Sequence, residues 1–130
     1  AAHLVRGDAA EQLACEYLVA RGLRVLARNF RCTGGELDLV LADATGLVIV
    51  EVRCRADGAA VDGLASLGRD KCRRIIHATE FFLLAHPPLA GVPLRFDVVT
   101  VTGAPPAADV AWFRAVFTAD DVAGPRGFRV

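Results

Sequence analysis

An α/β architecture, a mixed central sheet with helices packed on its faces, is what this 130-residue sequence predicts. Three observations point to it. Two stretches place apolar residues at helical spacing, and five shorter stretches are rich in Val, Ile, Leu and Phe, several alternating with period two. Their order is helix, three strands, helix, two strands, which suits a sheet covered by the two long helices.

The first helix is predicted from about Arg6 to Arg21. Ala10, Leu13, Ala14, Tyr17 and Leu18 fall at the i, i+3, i+4 spacing of a buried stripe, and Gly22 is placed to end the helix. Glu11 lies at the edge of that stripe. Taken alone it reads as a surface glutamate favoured toward a helix N-terminus by the dipole. Leu23 to Phe30 is the first predicted strand. Arg31 to Gly34 then turns the chain, with Gly34 and Gly35 supplying backbone freedom.

Gly35 to Arg55 (GELDLVLADATGLVIVEVRCR) is the centre of the pattern. Glu36, Asp38 and Val40 share one face of its first strand, and Leu37, Leu39 and Leu41 the other. In its second strand Val48, Val50, Val52 and Cys54 face away from Leu47, Ile49, Glu51, Arg53 and Arg55. The polar break Ala42 to Gly46 makes the pair a hairpin. A tight turn near Ala44 and Thr45 sets Leu37 opposite Val52, Asp38 opposite Glu51 and Glu36 opposite Arg53.

That register has a chemical consequence. Directly opposed Cβ atoms are about 4.5–5.5 Å apart, so the Asp38 and Glu51 carboxylates repel unless one is protonated or a cation lies between them. A hard divalent ion with oxygen ligands, Mg²⁺ or Mn²⁺, suits such a pair. The same residues also suit a solvated charge ladder on an open strand face.

Ala56 to Gly68 shows no periodicity and reads as a loop. A second helix follows from about Leu67 to Ala85, with Ser66 placed as its N-cap and an apolar stripe of Cys72, Ile75, Ile76, Thr79, Phe82 and Leu83. Arg69, Lys71, Arg73, Arg74 and His77 make its first half basic. Such a surface is either an ordinary solvated face or a rest for phosphates, with Lys71, Arg73 and Arg74 as the nucleic-acid-binding candidates. His86-Pro87-Pro88 stops the helix. Arg95 to Val101 and Val110 to Phe117 are the last strands, and Asp120 to Val130 reads as a loose tail.

Composition narrows the function classes. At 54% hydrophobic residues the chain reads as a single domain, residues 1–130, with a substantial core. Fifteen basic and fifteen acidic residues cancel, so contact with nucleic acid has to come from a local patch. Cys15, Cys32, Cys54 and Cys72 are widely spaced, with no CxxC and no histidine at zinc spacing, as expected of thiols in a reducing compartment. No secretory pattern and no long uncharged apolar run is read, so a soluble cytoplasmic protein without membrane partners is expected.

Six segments in this order, GDAAEQLACEYLVARG, RVLARNFR, GGELDLV, LVIVEVRCR, KCRRI and RFDVV, resemble the YraN family of small bacterial proteins within the PD-(D/E)xK nuclease superfamily. The resemblance implies a restriction-endonuclease-like core and a Mg²⁺- or Mn²⁺-dependent endonuclease hydrolysing phosphodiester bonds of nucleic acid. DNA is the expected substrate, branched DNA in particular. The relatives implied are the archaeal Holliday-junction resolvases, which act as dimers, so a homodimer is also expected. Carried over by position, the resemblance makes Asp38 and Glu51 metal ligands, with the main-chain carbonyl of Val52 as a further ligand. Glu11 becomes a helical acidic residue that helps position the metal or its water. Arg53 stands where the motif has lysine. Arginine stays protonated, so Arg53 cannot act as a general base, yet it can donate to phosphate oxygens. The alternative is a nucleic-acid-binding protein that keeps the nuclease fold and has lost turnover.

Overall fold

The computed structural model describes residues 2–55, 67–104 and 107–122, with side chains from Gly7 onward. Ser66, most of the predicted Ala56–Gly68 loop and residues 123–130 of the predicted tail lie outside the described residues.

Helix α1 (Ala2–Ala20) leads into strands β1 (Arg24–Cys32), β2 (Gly35–Ala42) and β3 (Leu47–Arg55). Helix α2 (Arg69–Ala85) precedes β4 (Leu94–Thr102) and β5 (Asp109–Phe117), and a short helix α3 (Ala119–Val122) follows. The strands form one sheet in the order β1-β2-β3-β4-β5. β3 and β4 run parallel and the other neighbours antiparallel. A parallel pair needs a long crossover, and α2 lies in it. The mixed α/β sheet of the sequence reading is therefore the fold observed.

One long helix lies on each face of the sheet. On one side Ala10, Ala14 and Leu18 of α1 pack with Leu39, Leu41, Val48, Val50, Val99 and Val101. On the other, Cys72, Ile75 and Phe82 of α2 pack with Leu37, Val40, Ile49, Phe96 and Val98. Val48, Ile49 and Val50 are all buried, because β3 is covered on both faces. Full burial of each such side chain contributes roughly 1.5–3 kcal/mol, which fixes β3 as the rigid floor of whatever is built at its end.

The hairpin adopts the expected register from Leu39 to Ala42, but the expected pairs of Leu37 with Val52, Asp38 with Glu51 and Glu36 with Arg53 are not in the ladder, and Leu37 and Val52 pack on opposite sides of the sheet. Leu39 pairs with Val50, Val40 with Ile49 and Leu41 with Val48. Its turn is held by Asp43, whose carboxylate accepts from the Thr45 hydroxyl at 2.6 Å, the Thr45 N–H at 2.8 Å and the Gly46 N–H at 3.1 Å. These bonds, led by the Thr45 hydroxyl, lower the Asp43 pKa to about 2.

One face assignment is corrected. Leu37 packs toward α2, not with Leu39 and Leu41 toward α1. The strand is deformed at Asp38: the β2–β3 ladder stops at Leu39–Val50, and Asn29 of β1 lies between the partners of Leu39 and Leu37 with φ of 52°. Alternation resumes with the opposite phase on either side of such an irregularity.

Three boundaries also move. β1 extends through Cys32, so the turn is confined to Thr33 and Gly34, and Gly34 has φ of 90°. α2 begins at Arg69 with Gly68 at its N-cap, without a side-chain cap. Within the predicted tail, Asp120 to Val122 are helical. The Thr118 N–H donates to the Asp121 carboxylate at 2.7 Å, and Val122 is buried against the α2 side of the core.

At the far side of the sheet, buried Asp97 organises the β5 edge. It accepts from Arg95 Nε at 3.1 Å, Trp112 Nε1 at 2.8 Å and the Ala115 N–H at 2.9 Å. Ala115 has φ of 51° beside a register shift in the β4–β5 pairing, so Asp97 satisfies backbone that the bulge leaves out of the ladder.

Candidate functional site

The deformation at Asp38 is where the sheet stops being only a scaffold. Just past the last paired residues, the Asp38 side chain replaces a ladder bond: its Oδ2 accepts the Val52 N–H at 2.9 Å. Asp38 is half-buried and its position is fixed by backbone rather than by another flexible side chain. Glu51, the preceding residue on β3, is only 7% exposed. Burial, then the charge of Asp38, drives the Glu51 pKa up to about 8. The two carboxyls interact, although Asp38 and Glu51 are not opposed in the β2–β3 ladder.

One cation already answers that charge. Lys71 Nζ lies 3.1 Å from Glu51 Oε2, and its side chain is 30% exposed. Lys71 reaches the site because Lys71, Ile75, Ala78 and Phe82 fall on one helical stripe, and the last three are buried under the sheet. The three basic candidates are therefore placed differently. Arg73 points elsewhere and is exposed, paired with Asp70 at 3.1 Å. Arg74 is exposed as well. A cavity of about 560 Å³ is lined by Glu51, Val52, Arg53, Cys54, Lys71 and Arg74, with Gly7 of α1 and Leu67 at its margin. A second cavity of about 290 Å³ shares Lys71 and Arg74 with it and adds Arg31, Cys32, Gly35 and Glu36. Gly35 is required there, because a Cβ would lie 2.4 Å from the Arg74 carbonyl oxygen.

Arg53 is half-buried and lines the larger cavity, two residues beyond Glu51 on the same side of β3. Glu11 is half-buried on α1. Its pKa is raised, first by burial and then by the charge of Asp38, and a hydrogen bond from Asn29 works in the opposite direction. Glu11 therefore feels Asp38 electrostatically. It is not drawn into one ligand cluster with the pair: among the described residues no group of three or more His, Cys, Asp or Glu side chains is placed to hold a metal. Asn29 was not singled out from sequence, and a lone asparagine in a strand carries no distinguishing signal. The role of Lys71 beside Glu51 was also missed. Its signal was its place on the apolar stripe, four residues before Ile75.

A further cavity of about 470 Å³ lies at the Asp43 turn, beside Phe82 and His86. Its carboxylate is already engaged by Thr45, Gly46 and Arg95, and its lining is largely apolar. The buried carboxyl with the raised pKa, Glu51, lies instead at the Asp38–Glu51 end.

With this geometry in view, comparison with known proteins gives a consistent family and a distant structural likeness. The solved structure of SfsA from Pyrococcus furiosus in complex with Ca²⁺ is similar to this chain at a TM-score of 0.35 and 12% identity, over 86% of this chain and 63% of that one. A UPF0102 protein of Xanthomonas euvesicatoria pv. vesicatoria is 46% identical over 121 residues, covering 93% of this chain and 98% of the relative. UPF0102 proteins of Nitrosococcus oceani and Saccharophagus degradans are 42% and 41% identical, over 90% and 93% of this chain and 94% and 99% of theirs. The profile described as "Uncharacterised protein family UPF0102" matches residues 10–101, which include Glu11, Asp38, Glu51, Arg53 and Lys71. The chain belongs to the UPF0102 family, the YraN family that its sequence resembles.

Proposed function

We propose that the Asp38–Glu51 pair is the divalent-metal centre of an endonuclease that hydrolyses phosphodiester bonds, with DNA as the substrate. The observation that carries this reading is Asp38 bonded to the Val52 N–H beside a buried Glu51 whose pKa is raised to about 8. Two hard oxygen donors held together against their own repulsion suit Mg²⁺ or Mn²⁺, so the donor set fits the ion that the resemblance implies. Asp38, Glu51 and the main-chain carbonyl of Val52 would hold it. When bound, such an ion lowers the pKa of a coordinated water and polarises a phosphate oxygen.

The chain's own residues supply the remainder. The Val52 N–H fixes one Asp38 oxygen, and the Asp38 side chain also shares a hydrogen bond with Glu51 that a bound ion would replace. Arg53 lines the cavity, where its guanidinium donates to non-bridging phosphate oxygens and stabilises charge gathering there. Arg74 joins the two adjoining cavities and offers a contact for the nucleic-acid backbone. Glu11 acts on Asp38 from the α1 side and orients the site rather than completing a three-carboxylate cluster. Hydrolysis joins the water oxygen to phosphorus, breaks one ester P–O bond and delivers a proton to the leaving oxygen. No helix among the described residues is long and apolar enough to cross a membrane, and we place the activity in the cytoplasm.

The test is cleavage of branched, flapped and linear DNA with Mg²⁺ or Mn²⁺ by the wild type and by Glu51→Ala prepared in parallel. Metal-dependent cleavage that disappears in Glu51→Ala supports the reading. Equal activity in the two preparations refutes it as a contaminant. DNA binding without cleavage on any substrate would favour the binding-protein alternative, for which the arginine at position 53 is the motivating observation.

A further inference from the structure

We propose that Lys71 on α2 supplies the ammonium of the carboxylate site: it is the hydrogen-bond partner of Glu51 in the metal-free protein, and a donor to substrate phosphate once a divalent cation occupies the pair. The inference rests on the metal-centre reading and adds a residue from a different element, assigned by geometry alone.

Three features favour Lys71. Its Nζ is 3.1 Å from Glu51 Oε2, so the ammonium already stands at the reacting end of the site. Its direction is set by the helix, since Ile75 on its own stripe and Cys72 beside it are buried at 3% and 0% exposure. It also lines both adjoining cavities, where a strand crossing from one to the other would pass. Arg53 lines only the larger of the two.

The exchange of partners follows from charge. A divalent ion held by Asp38 and Glu51 would take up the Glu51 oxygens, one of which Lys71 now contacts. The ammonium then loses most of its attraction to Glu51, and its flexible four-carbon stem lets it turn to a phosphate oxygen. Lysine and metal are thus competitors for Glu51 without substrate and partners with it. A purely structural ion pair behaves differently: its loss loosens Glu51 and weakens metal binding.

The experiment compares the wild type with Lys71→Met, Lys71→Gln and Lys71→Arg by Mn²⁺ calorimetry, DNA affinity at fixed Mn²⁺ and single-turnover DNA cleavage. Thermal melts restrict the comparison to folded variants, and the glutamine substitution replaces methionine should the latter fail to fold. Removing the ammonium is expected to tighten Mn²⁺ binding by on the order of tenfold, the worth of one charged hydrogen bond. It is expected to weaken DNA binding and to slow cleavage by about 10²–10³. Lys71→Arg restores part of the cleavage and leaves Mn²⁺ affinity near wild type. Weaker Mn²⁺ binding in both neutral variants overturns the proposal, as does unchanged cleavage. If the wild type binds Mn²⁺ but cleaves nothing, the enzyme reading fails separately. Lys71 is then judged on Mn²⁺ and DNA affinity, and either one moving opposite to expectation overturns it.

Discussion

Replacing Glu51 by Gln is expected to stabilise the metal-free protein at alkaline pH, although it removes one partner of an ion pair. Glu51 is 7% exposed, and its pKa is raised from 4.5 to about 8 by burial and by Asp38, against the smaller opposing pull of Lys71. A carboxylate with a raised folded-state pKa favours folding when protonated. Its contribution is fully present below about pH 4.5 and is lost as pH rises, reaching a floor above about 8. At about 1.4 kcal/mol per unit, the shift sets an upper bound of roughly 5 kcal/mol. Relaxation and water entry around the site reduce this to an expected 1–3 kcal/mol, or roughly 3–10 °C in Tm for a chain of this size. Lys71 is exposed enough to be solvated once its partner is neutral. The assay is thermal and urea unfolding of wild type and Glu51→Gln in EDTA from pH 4.5 to pH 9.5, taking the difference at each pH. The gain should be near zero at the acid end, grow through neutrality and level off above about pH 8. A variant less stable than wild type at pH 9 would mean that the Lys71 pair outweighs desolvation and repulsion. A difference independent of pH would mean that Glu51 ionises normally. Either result refutes the reasoning.

Two further outcomes separate the arginines. Arg53→Ala should slow metal-dependent cleavage by about 10²–10³, and Arg53→Lys should retain it; full activity in the alanine variant would remove Arg53 from the mechanism. Arg74→Ala should lower DNA affinity and the slope of log affinity against log salt by about one contact, while Arg73→Ala, whose side chain pairs with Asp70, should change neither; equal effects would restore the uniform basic face.

Much of the fold was legible because the hydrophobic pattern constrains it strongly. The alternation of LVIVEV and a turn at Ala44–Thr45 allowed one pairing with the apolar faces aligned, and Leu39–Val50 lies on it. Asp38 and Glu51 come near each other just beyond the last ladder pair, without being opposed in it. The phase change at Leu37 was not legible, since it falls beside Asn29, whose φ of 52° composition does not mark. Asp97 was visible only as a charge within RFDVV; its role depends on Trp112 and Ala115, brought to it by the β4–β5 pairing. By charge alone Lys71 groups with its basic neighbours, as a solvated face or a rest for phosphates. Its stripe position, together with the crossover that lays α2 over β3, sends it instead to Glu51. Helical phase separates Lys71 from Arg73, which lies only two residues further along α2.

The most direct measurement is a crystal structure of the wild-type protein soaked in Mn²⁺, with anomalous scattering collected at the manganese edge. The account predicts a single strong peak between the Asp38 and Glu51 carboxylates, within about 2.0–2.4 Å of an oxygen from each, with the Val52 carbonyl in its coordination shell and Lys71 withdrawn from Glu51. At saturating Mn²⁺, an anomalous map empty at this position, with Lys71 still bonded to Glu51, would contradict it.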